Sequence, residues 1–110
     1  MTDYCDHNTS DALKKLGFPT EITFIGEQGT ITIPINSGLI HMYDAQKFLR
    51  EEAGLHIEIH YDMRMGFEYE VREANRRVAE GSCFPSYEET LSTAIYMAIE
   101  YINDSIKEIK

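Results

Sequence analysis

Apolar and polar residues alternate without a break from Leu55 to Met63, the period-two pattern of a half-buried strand. Leu55, Ile57, Ile59, Tyr61 and Met63 share the face that meets a core, and His56, Glu58, His60 and Asp62 share the face that meets water. Residues 67–73 alternate in the same way, with Phe67, Tyr69 and Val71 on one side and Glu68, Glu70 and Arg72 on the other. Parity restricts how the two runs pair. A two-residue turn at 64–65 would set Tyr61 against Glu68 and mix the faces. A three-residue loop, Arg64-Met65-Gly66, pairs Met63 with Phe67, Tyr61 with Tyr69 and Ile59 with Val71, and places Gly66 where a left-handed residue is wanted. A further short strand is expected near 77–83, after a turn around Ala74-Asn75-Arg76.

Elsewhere the period changes to that of a helix. Ala45, Phe48, Leu49 and Ala53 recur at spacings of three and four within 42–53, and Gly54 is a natural stop. The last segment opens with Pro85-Ser86-Tyr87-Glu88-Glu89, in which Ser86 as N-cap and Glu89 three residues on make a capping box. From there Leu91, Ala94, Ile95, Ala98, Ile99, Ile102, Ile106 and Ile109 line one stripe, with Glu88 and Glu89 at the positive end of the helix dipole and Lys107 and Lys110 at the negative end. A short helix over 10–16, capped by Thr9 or Ser10 and ended by Gly17, precedes two β-branched runs at 21–25 and 30–35. Gly26-Glu27-Gln28-Gly29 joins them as a hairpin loop, and Pro34 assigns the second run to an edge or a strand end. The predicted order is α-β-β-α-β-β-(β)-α. Hairpins dominate it, so the expected fold is α+β: a two-layer sandwich with a mostly antiparallel sheet of four to five strands and the helices on one face. Residues 10–110 make a single domain and residues 1–9 a flexible N-terminus.

Composition narrows the function classes. The 110 residues carry 10 Lys+Arg against 19 Asp+Glu, a formal net charge of −9, and 43% are hydrophobic. Disorder is excluded by the apolar content, and direct nucleic-acid binding through a broad basic face by the charge. The acidity is spread along the chain with neither an acidic tail nor an acidic block, as a solubilising surface requires. No run reaches the roughly 18 apolar residues that a membrane span needs, and the acidic start Thr2-Asp3-Tyr4-Cys5-Asp6 lacks the features of an export signal. The expectation is a cytoplasmic protein with no membrane contact and with Cys5 and Cys83 as free thiols. Glycine-rich phosphate loops are missing from the sequence, and no cofactor is expected.

Three stretches carry a resemblance. Ala12-Leu13-Lys14-Lys15-Leu16-Gly17-Phe18, the passage from Ala45 to Ile57 (AQKFLREEAGLHI), and Phe84-Pro85-Ser86-Tyr87-Glu88-Glu89-Thr90-Leu91 follow in order the motifs lLKekGF, aqkWLRekhgihi and tyeeAleaai. The combination resembles a family of short uncharacterised proteins carried by phages and mobile elements of gut bacteria. Phe48 stands where that family usually has Trp, and Thr90-Leu91 where Glu-Ala or Ala-Leu is common; both changes keep an apolar face. The resemblance implies the same element order and a cytoplasmic, mobile-element setting, and it transfers no catalytic residue.

Four constellations have chemistry. The outward stripe His56, Glu58, His60, Asp62 offers two imidazoles and two carboxylates about 6.5–7 Å apart in steps of two, and the pairing above sets Glu70 opposite His60, Glu68 opposite Asp62 and Arg72 opposite Glu58. A zinc or manganese ion could draw on His56, Glu58, His60 or Glu70, although His56 and His60 are about 13 Å apart along the strand. Read plainly, the stripe is a solvated face of cross-strand charge pairs. Asp3, Cys5, Asp6 and His7 mix soft and hard ligands in what reads as a frayed terminus. Cys83, just before a helix, is a nucleophile only if a histidine lies beside it; otherwise it is a structural cysteine. On the last helix Tyr96, Met97 and Tyr101 flank the apolar stripe and make a candidate partner surface. The reading that follows is a small acidic non-enzymatic accessory or interaction protein that self-associates as a homodimer or binds another protein. The alternative is a metal-binding protein or small metal-dependent enzyme using the His56–Asp62 strand face. Third comes a mimic of nucleic-acid charge.

Overall fold

The computed structural model describes residues 4–34 and 39–109. The order is α1 (His7–Lys15), β1 (Glu21–Gly26), β2 (Gly29–Pro34), α2 (Met42–Ala53), β3 (Leu55–Asp62), β4 (Gly66–Glu73), β5 (Arg76–Phe84) and α3 (Tyr87–Ile109). This is the α+β order that the periodicities predict, with the fifth strand present. The expected ends at Ile35 and Lys110 lie outside the described residues.

The strands form two antiparallel sheets, not one. β3, β4 and β5 make a three-stranded sheet with β4 in the centre, while among the described residues β1 and β2 pair with each other and with no other strand. Alternation within a run shows that a strand has two environments; it does not show which edge the strand joins, and that is where the single-sheet expectation fails. The radius of gyration, 16.1 Å, exceeds the roughly 13 Å of a compact chain of this length, as an element set apart from the body requires. The principal extents are 61 × 38 × 22 Å.

The helices pack on one face of the three-stranded sheet. α3 lies across all three strands, α2 against β3 and α3, and α1 against α3. The core contains Leu13 of α1, Ala45 and Leu49 of α2, Leu55 of β3, Tyr69 and Val71 of β4, and Leu91, Ala94, Ile95, Ala98 and Ile99 of α3. The α3 residues recur at the spacing that keeps one helix face on the sheet. α2 spans the predicted 42–53, and Gly54 closes it in the left-handed conformation (φ 69°). Ser86 Oγ accepts the Glu89 N–H at 3.2 Å, as the capping box anticipates.

Three expectations are corrected. First, the N-terminal helix starts at His7, and the Asp6 carboxylate, not Thr9 or Ser10, caps it by accepting the Thr9 N–H at 2.7 Å. Thr9 and Ser10 are buried instead: Ser10 Oγ accepts the Ile40 N–H at 3.0 Å, and the Cys5 N–H donates to the Ile40 carbonyl at 2.8 Å. Residues 4–9 therefore belong to the folded domain. Second, the β3–β4 register differs from the predicted one by two residues. Asp62 pairs with Gly66, Tyr61 with Phe67, Ile59 with Tyr69 and Ile57 with Val71, so parity holds and the loop is Met63-Arg64-Met65. Asp62 sets this register, because its Oδ1 accepts the N–H groups of Arg64 (2.7 Å) and Met65 (3.2 Å) while Gly66 takes φ 77°. Third, Tyr61 and Met63 are exposed, by 64% and 91%: the hairpin tip runs past the helix layer, and Tyr61 covers Phe67 (ring centroids 4.8 Å apart), which in turn meets Tyr87.

Gly66 is fixed by space as well as by backbone angle, and Gly81 by space. A Cβ on Gly66 would stand 2.8 Å from the Phe84 carbonyl oxygen, and one on Gly81 would stand 2.4 Å from the Tyr69 ring. Gly54 has positive φ with open space around it. Thermal or urea denaturation should separate strain from collision: Gly54→Ala should cost about 1 kcal/mol, and Gly66→Ala at least about 2 kcal/mol because a backbone atom must also move. Asp6→Ala should cost about 1 kcal/mol by loss of the cap. The backbone hydrogen bond from Thr9 is the main reason the Asp6 carboxyl is held below its ordinary range. Its stabilisation is therefore present above the ordinary Asp range and is lost as pH falls through the lowered value. In Asp6→Ala that part of the acid sensitivity of unfolding should disappear.

Candidate functional site

With α2 and α3 covering one face of the sheet, the other face is left to the polar half of each alternating strand. It presents His56, Glu58 and His60 from β3, Glu68, Glu70 and Arg72 from β4, and Arg77 and Glu80 from β5. The register places His56 opposite Arg72, Glu58 opposite Glu70 and His60 opposite Glu68. The expected direct pairs His60–Glu70 and Glu58–Arg72 are diagonal neighbours instead, and Asp62 leaves the face to close the loop.

The two-residue difference sets two carboxylates, Glu58 and Glu70, directly against each other, an arrangement that is unfavourable without a cation. Arginines supply the charge. Arg72 lies 3.1 Å from Glu70 Oε2 and 4.0 Å from Glu58 Oε2, and Arg77 Nη1 lies 3.4 Å from Glu70 Oε1 and 2.9 Å from Glu80 Oε2. The hydrogen bond from Arg72, and then the positive charges of Arg72 and Arg77, hold the Glu70 carboxyl below its usual range. The carboxylates are thus interleaved with guanidinium groups, and this face lacks the continuous acidic array on which the charge-mimic reading depends.

Among the described residues one group of metal-ligand side chains comes together. Donor atoms of Glu58, His60 and Glu70 all lie within 4.8 Å of one another, Glu58 and His60 exposed and Glu70 half-buried. These are three of the four residues the alternating pattern singles out. His56 is separated from them along the strand and faces a guanidinium. The signal that the sequence reading missed was Asp62 followed four residues later by Gly66, which fixes the register and so the Glu58–Glu70 opposition.

The other candidates are dispersed. Asp3 lies outside the described residues. Asp6 is the cap of α1, and Cys5 is buried, its thiol pushed up to about 11 chiefly by desolvation and then by the Asp6 charge. Cys83 is exposed, not the buried structural cysteine of the plain expectation; it sits at a bulge of β5 with φ 70°, and Sγ is 3.9 Å from Ser82 Oγ. On α3, Tyr101 is half-buried and tied down: its hydroxyl donates to Glu73 Oε1 at 3.0 Å and accepts from Arg76 at 2.7 Å, which fastens the helix to the β4–β5 turn. Tyr96 and Met97 are exposed, by 45% and 37%, and a hydrogen bond to Glu100 pushes the Tyr96 hydroxyl up.

The chain matches no protein-family model, no curated protein and no solved structure. Among the described residues, no helix is long and apolar enough to cross a membrane.

The thiols give a direct check of this placement. In the native protein at neutral pH, a thiol reagent such as iodoacetamide should modify Cys83 and leave Cys5 untouched, and both should react after denaturation. Mass spectrometry of peptides labelled under the two conditions measures it. Native labelling of Cys5 would contradict the burial of the N-terminal segment.

Proposed function

We propose that this chain is a small interaction protein that self-associates, most simply as a homodimer, with the β1–β2 hairpin as the principal contact element. The observation that carries the reading is the hairpin itself. It joins neither edge of the three-stranded sheet, and a two-stranded ribbon is at best marginally stable in water on its own. Its strands are rich in isoleucine and threonine, and Ile25 and Ile31 are exposed by 85% and 65%. One face is bridged by a Thr23–Thr32 hydroxyl contact of 3.2 Å. A second copy could extend the ribbon along an unpaired strand edge and shield both isoleucines. Tyr96 and Met97, on the exposed flank of α3, offer a further apolar contact. A cytoplasmic setting on a phage or mobile element belongs to the same proposal, on the strength of the motif resemblance.

The formal charge of −9 makes a distinctive prediction. Two copies repel at low ionic strength, and added salt screens that repulsion. Sedimentation velocity should show dimer at micromolar concentration, with a dimer fraction that rises between low and physiological salt. Ile25→Lys combined with Ile31→Lys should give a monomer with an unchanged helical circular dichroism spectrum. A clean monomer of the natural sequence at all salt concentrations would overturn the proposal.

A further inference from the structure

From the convergence of Glu58, His60 and Glu70 on the open face of the three-stranded sheet, we infer a binding site for a divalent first-row transition-metal ion of the zinc class. One imidazole nitrogen and two carboxylate oxygens from adjacent strands form a mixed nitrogen–oxygen donor set, which suits zinc, cobalt or manganese better than the all-oxygen surroundings of calcium and magnesium. The donor atoms lie within 4.8 Å of one another. Around a zinc ion with bonds near 2.1 Å they would stand about 3.4 Å apart, a contraction of up to about 1.4 Å that these side chains can make by rotation, since two of the three are exposed.

Electrostatics favours a cation there. The directly opposed Glu58 and Glu70 already gather positive charge, and Arg72 bridges them at 4.0 Å and 3.1 Å while Arg77 takes the second oxygen of Glu70 at 3.4 Å. The arginines are therefore both the organisers of the site and the competitors for it. Exposed pairs of this kind are weak, and the Arg77 side chain is half exposed at the rim of a cavity of about 440 Å³ lined by Glu68, Glu70, Glu80 and Ser82, so its head group has somewhere to go when the ion arrives. Three protein donors leave a position open to water or to an external ligand.

The experiment is a titration of the full chain with zinc chloride in a non-coordinating buffer at neutral pH, followed by calorimetry and by the imidazole resonances of all four histidines. One ion per chain should bind with the largest shifts at His60. His60→Ala and Glu58→Gln should each weaken binding by about tenfold or more, the scale on which even supporting groups around a metal act. Arg77→Ala, by contrast, should tighten it several-fold. All three positions are on the exposed or half-exposed sheet face, and circular dichroism of each variant confirms that it is folded. Excess magnesium should leave the zinc isotherm unchanged. Absence of saturable zinc binding, affinity unaltered by His60→Ala, or displacement by magnesium would each overturn the inference.

Discussion

Ala94, Ile95, Ala98 and Ile99 of α3 share one buried cluster with Tyr69 and Val71 of the central strand β4, and both proposed binding surfaces follow from that packing. Two alanines four apart let the helix axis come close to the sheet, while the isoleucines beside them fill the space between strands. Tyr69 can lie flat in this layer because Gly81 across the strand has no side chain. Ser86 at one end and the Tyr101–Glu73–Arg76 contact further along hold the helix in place. α2 and α1 then pack against what α3 has already organised.

A helix layer on one side commits the polar residues of three strands to the other. Alternation at this sheet is thus also the origin of its chemistry: every second residue of β3 and β4 is delivered to an open face, at spacings that the ladder fixes. The same contact accounts for the isolation of the β1–β2 hairpin. The helical layer is satisfied by three strands, and among the described residues no further strand is recruited to either edge of that sheet. The surplus ribbon retains exposed isoleucines, and the charged face retains opposed carboxylates paired with arginines. Self-association is proposed for the first surface and metal binding for the second.

Element identity was legible in the chain wherever local chemistry decides it. Gly54 ends α2, Ser86 starts α3, and the unbroken alternation of 55–63 reveals β3. Partnership was less legible. The β3–β4 parity could be read because mixing faces would bury charge, but a shift of two residues keeps the faces unmixed. Choosing between the two registers required seeing that Asp62 serves the loop backbone and not the charged stripe. Asp6 was overlooked as a cap because Thr9 and Ser10, ordinarily capping residues, also compete for that place; both are buried instead, and the Ser10 hydroxyl reaches Ile40, thirty residues away. The single sheet was expected because nothing local distinguishes a ribbon that joins a sheet from one that does not. For the same reason the trio Glu58, His60 and Glu70 was named from the sequence, while the reason it converges was not.

Native-state hydrogen exchange in dilute and concentrated solution tests the separation of core and hairpin most directly. Amides of β4 and of α3 around Ile95 should exchange only through global unfolding at any concentration. Amides of β1 and β2 should exchange far faster in dilute solution and gain protection as concentration rises. Hairpin amides as protected as those of β4 in a dilute monomer would contradict the account, because the ribbon would then be held by the core and would need no partner.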